Sequence, residues 1–356
     1  MTHHPNRFIR LAVASVVALS LAACGSTTKD STSSEPDKKA AGKADPDAEL
    51  KSGLKIAFLP KQLNNPYTDV EVGGGKVAAE EVEGEYTLVG PNDASASSQV
   101  SYINTLIQKQ QDVIAIAAND PDAVCPSLNQ ASEAGIKIVS FDSDAAKDCR
   151  DVFINQATTQ GIGEFLAQSA LKVAGGKGEV AILSATANAT NQNAWIAVLN
   201  EELKKPEYAG LKLVDTVYGD DDDQKSFTEA QGLLQAHPDL KAIISPTTVG
   251  IAAAARYISS SSYKGKVAIT GLGLPNQMRE YIKDRTVEEF GLWNPADIGY
   301  LATYAGAALA SGQITGAEGE KFEAGKLGSY TIGVDGEIVL GPPTTFNAAN
   351  IDDFDF

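Results

Sequence analysis

The chain alternates short, apolar, β-branched runs with longer segments of helical character, and it does so twice in succession. Strand segments at 54–59, 86–89, 113–117 and 137–141 are separated by helical segments at 66–82, 97–110 and 125–134. Strands that alternate with helices are joined by crossovers, and a crossover sets its two strands parallel. This first run makes one doubly wound half of about 100 residues. The pattern then restarts, with strands at 152–154, 179–184, 211–217, 242–245, 266–272 and 288–293. Helices at 160–173, 191–204, 225–236, 250–259, 276–284 and 295–311 alternate with them. The expected fold class is α/β, with two doubly wound parallel-sheet lobes in tandem. No residue-level repeat accompanies this repeat of architecture.

At 356 residues the chain exceeds what one compact core holds, in agreement with two domains. Its 29 basic residues against 46 acidic ones give a net charge of -17. That balance argues against a nucleic-acid partner, because phosphates are met by clustered Lys and Arg. Residues 1–23 have the form of a signal peptide. Arg7 and Arg10 precede an apolar run at 11–23 that is shorter than the roughly 20 residues of a permanent membrane helix. The run ends at Leu21-Ala22-Ala23-Cys24, which resembles a bacterial lipobox, and the resemblance implies acylation of Cys24 as the mature N-terminus. A secretory signal with an incidental cysteine is the alternative. Removing 1–23 takes away two arginines and no acid, so the acidity belongs to the exported protein. Residues 24–50, rich in Ser, Thr, Lys, Asp, Pro and Ala with no apolar period, are expected to form a flexible tether of about 25–30 Å reach. The protein is thus expected outside the cytoplasm, lipid-anchored to the bacterial cell membrane.

Two cysteines remain, Cys125 and Cys149, in a compartment where disulfides persist, and a bridge between them is expected. Two separately buried thiols stay open at this point, since sequence does not fix the Cα separation. Neither cysteine has a CxxC partner or a nearby histidine, so no metal site and no cofactor are expected. His3 and His4 fall in the signal, and His237, before Pro238, suits a solvated helix end.

In open parallel sheets, ligands bind beyond the carboxyl ends of the strands, where helix N-termini present backbone N–H groups. Those ends carry Lys61 with Asn64 and Asn65, Asn119 with Asp120, Asp142 with Asp144, and Asn155 with Gln156. Farther on they carry Asn191 and Gln192 within 188–193, then Pro246, Thr247 and Thr248, and finally Asn294. Side-chain amides and carboxylates pair donors and acceptors as sugar hydroxyls require, so the set fits a polyol. Lys61 and Asp142 would each anchor two hydroxyls through charge-assisted bonds. Tyr67, Trp195 and Trp293 would cover the C–H faces of a pyranose. Trp195, four residues into a helix, suits core packing equally well.

Enzymatic readings fare worse, because no nucleophile, base or metal set stands at motif spacing and no GxSxG elbow is present. Gly73-Gly74-Gly75-Lys76 lacks the Ser or Thr of a phosphate loop and falls inside a helical segment. Gly271-Leu272-Gly273 lacks the third glycine of a dinucleotide fingerprint, and the acids at 220–223 lack the glycine and closing Glu of a calcium loop, leaving a solvated turn. Asp142 and Asp144, near one strand end, could mimic a glycosidase pair, but they are expected to point apart.

Signal, Cys24, tether and two α/β lobes together resemble the periplasmic sugar-binding lipoproteins of ABC importers, type I and ribose-binding-like, over about residues 53–356. More narrowly, Phe58 to Lys61, Phe141 to Asp144, Ser184 to Trp195, Ser245 to Gly250, Phe290 to Asn294 and Asn350 to Phe356 resemble the rhamnose-binding subgroup. A sister subgroup binds the furanosyl autoinducer of quorum sensing. Its pocket pattern is a lysine, an aspartate, an Asp-Gln pair and a Pro-x-Ala turn; the matching positions here are Lys61, Asp142, Asn191-Gln192 and Pro246-Thr247-Thr248. Asn191 and Thr248 depart from that pattern and agree with the rhamnose-binding one, so the resemblance favours L-rhamnose, with another deoxyhexose or a pentose as alternatives. It implies no reaction: two lobes close over a monosaccharide by a hinge, and membrane permease subunits recognise the closed monomer. Residues 53–144 with 295–318 would form the N-terminal lobe, and 155–290 with 329–356 the C-terminal lobe. Hinge strands would pass near 144–154, 293–294 and 319–328. A sugar sensor for a membrane receptor, and a secreted carbohydrate enzyme, are the competing classes.

Overall fold

The computed structural model describes residues 43–356. The signal peptide, the lipidation site Cys24 and the tether as far as residue 42 lie outside the described residues. The last part of the tether is tied down, contrary to the expectation for 24–50. Asp45 N donates to Gly312 O at 2.9 Å, and Gln313 Nε2 donates to Ala48 O at 2.6 Å. Helix ends leave carbonyls without partners, and Asp45 N and Lys51 Nζ supply donors to those of Gly312 and Ala310.

The first run builds β1 (Lys55–Leu59), α1 (Pro66–Glu81), β2 (Glu85–Leu88), α2 (Ala96–Gln108), β3 (Val113–Ile116), α3 (Pro121–Glu133), β4 (Lys137–Phe141) and β5 (Val152–Asn155). The second builds α4 (Thr159–Val173), β6 (Gly178–Ser184), α5 (Thr190–Glu202), β7 (Leu211–Tyr218), α6 (Asp223–Ala236), β8 (Leu240–Ser245), α7 (Thr248–Ser259), β9 (Ala268–Gly271), α8 (Pro275–Lys283) and β10 (Glu289–Leu292). Then come α9 (Pro295–Ser311), β11 (Lys321–Glu323), β12 (Ser329–Thr331), β13 (Glu337–Val339) and β14 (Thr344–Asn347). The two larger sheets have the orders β13-β5-β4-β3-β1-β2 and β7-β6-β8-β9, with every pairing parallel. β10 pairs antiparallel with β14 and meets the end of β9 through a Leu272–Gly291 bridge.

Two boundaries differ from those expected. The strand read at 152–154 as the start of the second half is the fifth strand of the first sheet, paired with β4. The segment 329–356 is divided, because β13 pairs with β5 in the first sheet while β14 pairs with β10. The chain therefore passes between sheets at 156–158, 293–294 and 340–343. Strands of three or four residues carry too little periodicity to show which sheet they join.

Capping explains where several helices begin. Asn65, Asp120 and Asn294 each precede a proline at the first helical position, and each side chain accepts a backbone N–H of the first turn. An oxygen that satisfies an orphan donor and a ring that presets φ together start a helix. α3 thus starts four residues before the expected 125 and tolerates Pro126 in its second turn.

α1 and α9 cross at glycines. A Cβ on Gly74 would lie 1.8 Å from Ala296 O, and one on Gly299 would lie 1.9 Å from Glu71 O. This contact accounts for Gly74, and the Phe58 ring, 2.4 Å from where a Cβ of Gly75 would lie, accounts for Gly75.

Cys125 and Cys149 are bridged, with Cα atoms 5.4 Å apart across a sequence separation of 24. The bridge ties α3 to the segment after β4. Closing a loop of that length restricts the unfolded chain, so Cys125→Ser with Cys149→Ser is expected to lower unfolding stability by about 3 kcal/mol. Urea denaturation of the oxidised and double-serine proteins measures this, and equal midpoints would refute it.

Candidate ligand-binding site

The carboxyl ends of strands from both sheets meet around a cleft. From the first sheet come Lys61 and Gln62 after β1, Ala117 after β3 and Asp142 after β4, with Asn65, Tyr67, Thr68 and Glu71 on the entry and first turns of α1. The facing wall holds Asn191, Gln192 and Trp195 of α5, Asp221 after β7, and Pro246, Thr247 and Thr248 after β8. Leu272, Leu292 and Trp293 complete it.

Asp142 is aimed inward by its backbone. Its φ is 57°, and Ser143 N donates to Phe141 O at 2.6 Å across it, a tight three-residue turn. Residues held in such conformations cluster where function requires a side chain to be aimed. Asp142 Oδ1 accepts from Tyr67 Oη at 3.1 Å, and Oδ2 lies 3.8 Å from Lys61 Nζ. Asp144 goes elsewhere, held by Arg150 Nε at 2.7 Å and Nη2 at 2.8 Å, so the two carboxyls form no catalytic pair.

The walls touch. Lys61 Nζ donates to Asn191 Oδ1 at 3.1 Å, and Trp293 Nε1 donates to Tyr67 Oη at 2.8 Å. The rings of Trp195 and Trp293 meet edge to face with centroids 6.0 Å apart, so Trp195 both packs in the core and lines the cleft. Gln192 Oε1 accepts from Ser184 Oγ and Ala185 N, which fixes the amide and leaves its NH₂ for a ligand.

Of the residues singled out in the sequence, Lys61, Asn65, Tyr67, Asp142, Asn191, Gln192, Trp195, Pro246, Thr247, Thr248 and Trp293 line this cleft, while Asn64, Asn119, Asp144, Asn155 and Gln156 do not. Nor do Asp120 and Asn294; their side-chain oxygens are spent capping α3 and α9. Glu71 and Asp221 were missed. Asp221 belongs to the acid run expected to be a solvated turn, yet a φ of 51° turns it inward, where it accepts from Thr247 Oγ1.

Three carboxyls, Glu71, Asp142 and Asp221, thus share the cleft with one lysine. Burial raises the pKa of each, most of all that of Glu71, and Lys61 opposes the rise. Burial also raises Tyr67 well above the ordinary phenol value, so it stays a donor. Such carboxyls keep their protons to higher pH in the folded protein than in the unfolded chain. A folded state that binds more protons loses stability as pH rises. The expected result is a melting temperature that falls from pH 5 to pH 7, above the ordinary carboxyl value of about 4, with a shallower slope in Glu71→Gln. Thermal melts across that range test it, and a melting temperature that climbs toward pH 7 would contradict it.

Two parallel α/β lobes with a polar, aromatic-walled cleft between strand ends define a binding protein for a small polar molecule. The chain belongs to the periplasmic binding protein domain family, whose pattern matches residues 56–314. It is similar to a sugar ABC transporter protein from Actinomyces odontolyticus, at 59% identity and a TM-score of 0.72, over 86% of this chain and 100% of that one. It is also similar to an L-rhamnose-bound solute-binding protein from Clostridium phytofermentas, at 40% identity and a TM-score of 0.82, over 85% and 98%. A third similar structure is LsrB from Clostridium saccharobutylicum in complex with AI-2, at 25% identity and a TM-score of 0.78, over 85% and 99%.

Proposed function

We propose that this protein is the substrate-binding lipoprotein of an ABC sugar importer, that it captures L-rhamnose, and that it delivers the sugar to its permease. The observation that carries this reading is the cleft itself, where Lys61, Asp142, Asn191 and Gln192 ring a space walled by Tyr67, Trp195 and Trp293. Hydroxyls meet the polar ring, C–H faces meet the aromatics, and Ala117, Leu272 and Leu292 offer an apolar seat for the methyl group of a 6-deoxy sugar. Asn191 and Thr248 match the rhamnose-binding pattern, and a relative at 40% identity holds L-rhamnose. No bond is made or broken. The bodies around the two sheets close by bending at the three chain passages, residues 156–158, 293–294 and 340–343. Cys24 carries the lipid anchor outside the cytoplasm, and the binding unit is a monomer.

The alternative ligand is the furanosyl autoinducer, favoured by the lysine, aspartate and glutamine shared with its binders; a sensor for a membrane receptor would bind the same sugar. Isothermal titration of the chain from Gly25 onward with L-rhamnose, D-ribose, D-galactose and the autoinducer precursor separates the ligands, and uptake by a deletion strain separates importer from sensor. Micromolar or tighter binding of L-rhamnose alone is the expected result, and silence toward it discards this specificity. Asn191→Asp with Thr248→Ala is expected to weaken L-rhamnose by about tenfold, because it removes an amide donor and a hydroxyl and sets a carboxylate beside Asp142. Unchanged rhamnose affinity in that variant would remove the two residues from specificity.

A further inference from the structure

Glu71 stands in the second turn of α1 with its carboxyl in the cleft, outside the residues singled out in the sequence. The residue is 2% exposed, and Oε1 has no hydrogen-bond partner among the described residues. The polar groups close to it each have another partner. Tyr67 Oη donates to Asp142, Tyr86 Oη donates to Val72 O at 3.0 Å, and Lys61 donates to Asn191. Relaxation of the helix offers no relief, because the Glu71 carbonyl lies where α9 passes it at Gly299, too close for even one added carbon. A buried carboxyl without a partner is costly, and a position that kept one for stability alone would gain by losing it.

We propose that Glu71 is a ligand-contacting, specificity-determining residue whose carboxyl hydrogen-bonds one hydroxyl of the bound monosaccharide. This rests on the reading of the cleft as a sugar site and goes beyond it, because Glu71 is outside the set of positions that carried that reading. The carboxyl keeps a proton readily in this setting, so it can donate to a hydroxyl oxygen as well as accept from a hydroxyl hydrogen. Either bond discriminates against a sugar that lacks the hydroxyl, since the carboxyl is then left unpaired.

The test is a ligand-by-residue cycle. Wild type, Glu71→Gln and Glu71→Leu are titrated with L-rhamnose, D-ribose and D-galactose, then with the mono-deoxy derivatives of whichever sugar binds. In wild type one deoxy derivative is expected to bind about 10–30-fold more weakly than its parent, and in Glu71→Leu that penalty is expected to vanish. Glu71→Leu is also expected to melt higher than wild type, which a structural carboxyl would not allow. Glu71→Gln keeps the shape of the side chain and provides the cycle if the leucine variant does not fold. Identical deoxy penalties in wild type and variants overturn the assignment of Glu71 and leave the sugar site standing. Binding of none of the sugars by wild type overturns the sugar site and this inference with it.

Discussion

Gly299→Val is expected to leave little folded protein. The crossing of α1 and α9 brings backbone against backbone. An added Cβ at Gly299 would meet Glu71 O at 1.9 Å and Gly75 N at 2.9 Å, and one at Gly74 would meet Ala296 O at 1.8 Å. None of these atoms is the end of a flexible side chain, so relief requires the helices to separate by more than an ångström. Separation would open voids around Val72, Ala78 and Ala79 on α1 and Ile298, Leu301 and Ala302 on α9, all buried. Strain and voids together place the cost above about 4 kcal/mol, a large share of the stability of an ordinary domain. Gly73, in the same run, has nothing within 4 Å of its added Cβ and lies on the exposed side of α1. Gly73→Ala is therefore expected to stabilise by up to about 1 kcal/mol through helix propensity and a less flexible unfolded chain. Urea denaturation followed by circular dichroism measures both, and a Gly299→Val protein as stable as wild type would mean that the helices are free to part.

This contrast also shows what the sequence carried. Three successive glycines inside a helical period announce an exception without saying which of them touches a neighbour, since that depends on where α9 lies. Strands β1, β3, β4, β6 and β8 were legible because each is built on Ile, Val, Ala, Leu or Phe buried on both faces, with Lys, Gly, Glu or Ser in all but β3. The strand ends then located most of the cleft by topology alone. Asn65-Pro66, Asp120-Pro121 and Asn294-Pro295 give one local signal, that of a capped helix start, and only the first of the three asparagine or aspartate side chains also lines the cleft. The acids at 220–223 looked uniform as a charge run yet do three different things. Asp220 pairs with Lys225, Asp221 turns into the cleft, Asp222 caps α6, and Asp223 pairs with Arg256. Backbone φ values of 56° and 51° at Asp220 and Asp221 make that division, and composition does not reveal them. Glu71 had one readable sign: it follows Tyr67 by four residues and therefore shares its helix face.

Asp142→Ala is expected to weaken binding of L-rhamnose by about 2–4 kcal/mol, a rise in Kd of roughly 30- to 1000-fold. Tyr67 Oη would lose the acceptor 3.1 Å away, and Lys61 would keep only Asn191 across the cleft, so a ligand hydroxyl would meet donors with nothing to accept in return. Alanine also fits poorly at a φ of 57°, where aspartate and asparagine are tolerated, so part of any effect could come from the turn. Asp142→Asn separates the two causes, because it keeps the turn and the side-chain shape while it removes the charge and replaces one acceptor oxygen with an NH₂ donor. It is expected to bind about tenfold more weakly than wild type with a melting temperature no lower than that of wild type, since it removes a buried charge. Asp144→Ala is the complementary control. It frees Arg150 from a two-point ion pair and should lower stability, while leaving affinity within about twofold, since that carboxyl faces away from the cleft. Calorimetric titration with melting curves on the same three variants decides the matter. If Asp142→Ala and Asp142→Asn both bind normally, the inward turn at this residue serves the fold, and the polar ring of the site must be drawn without it.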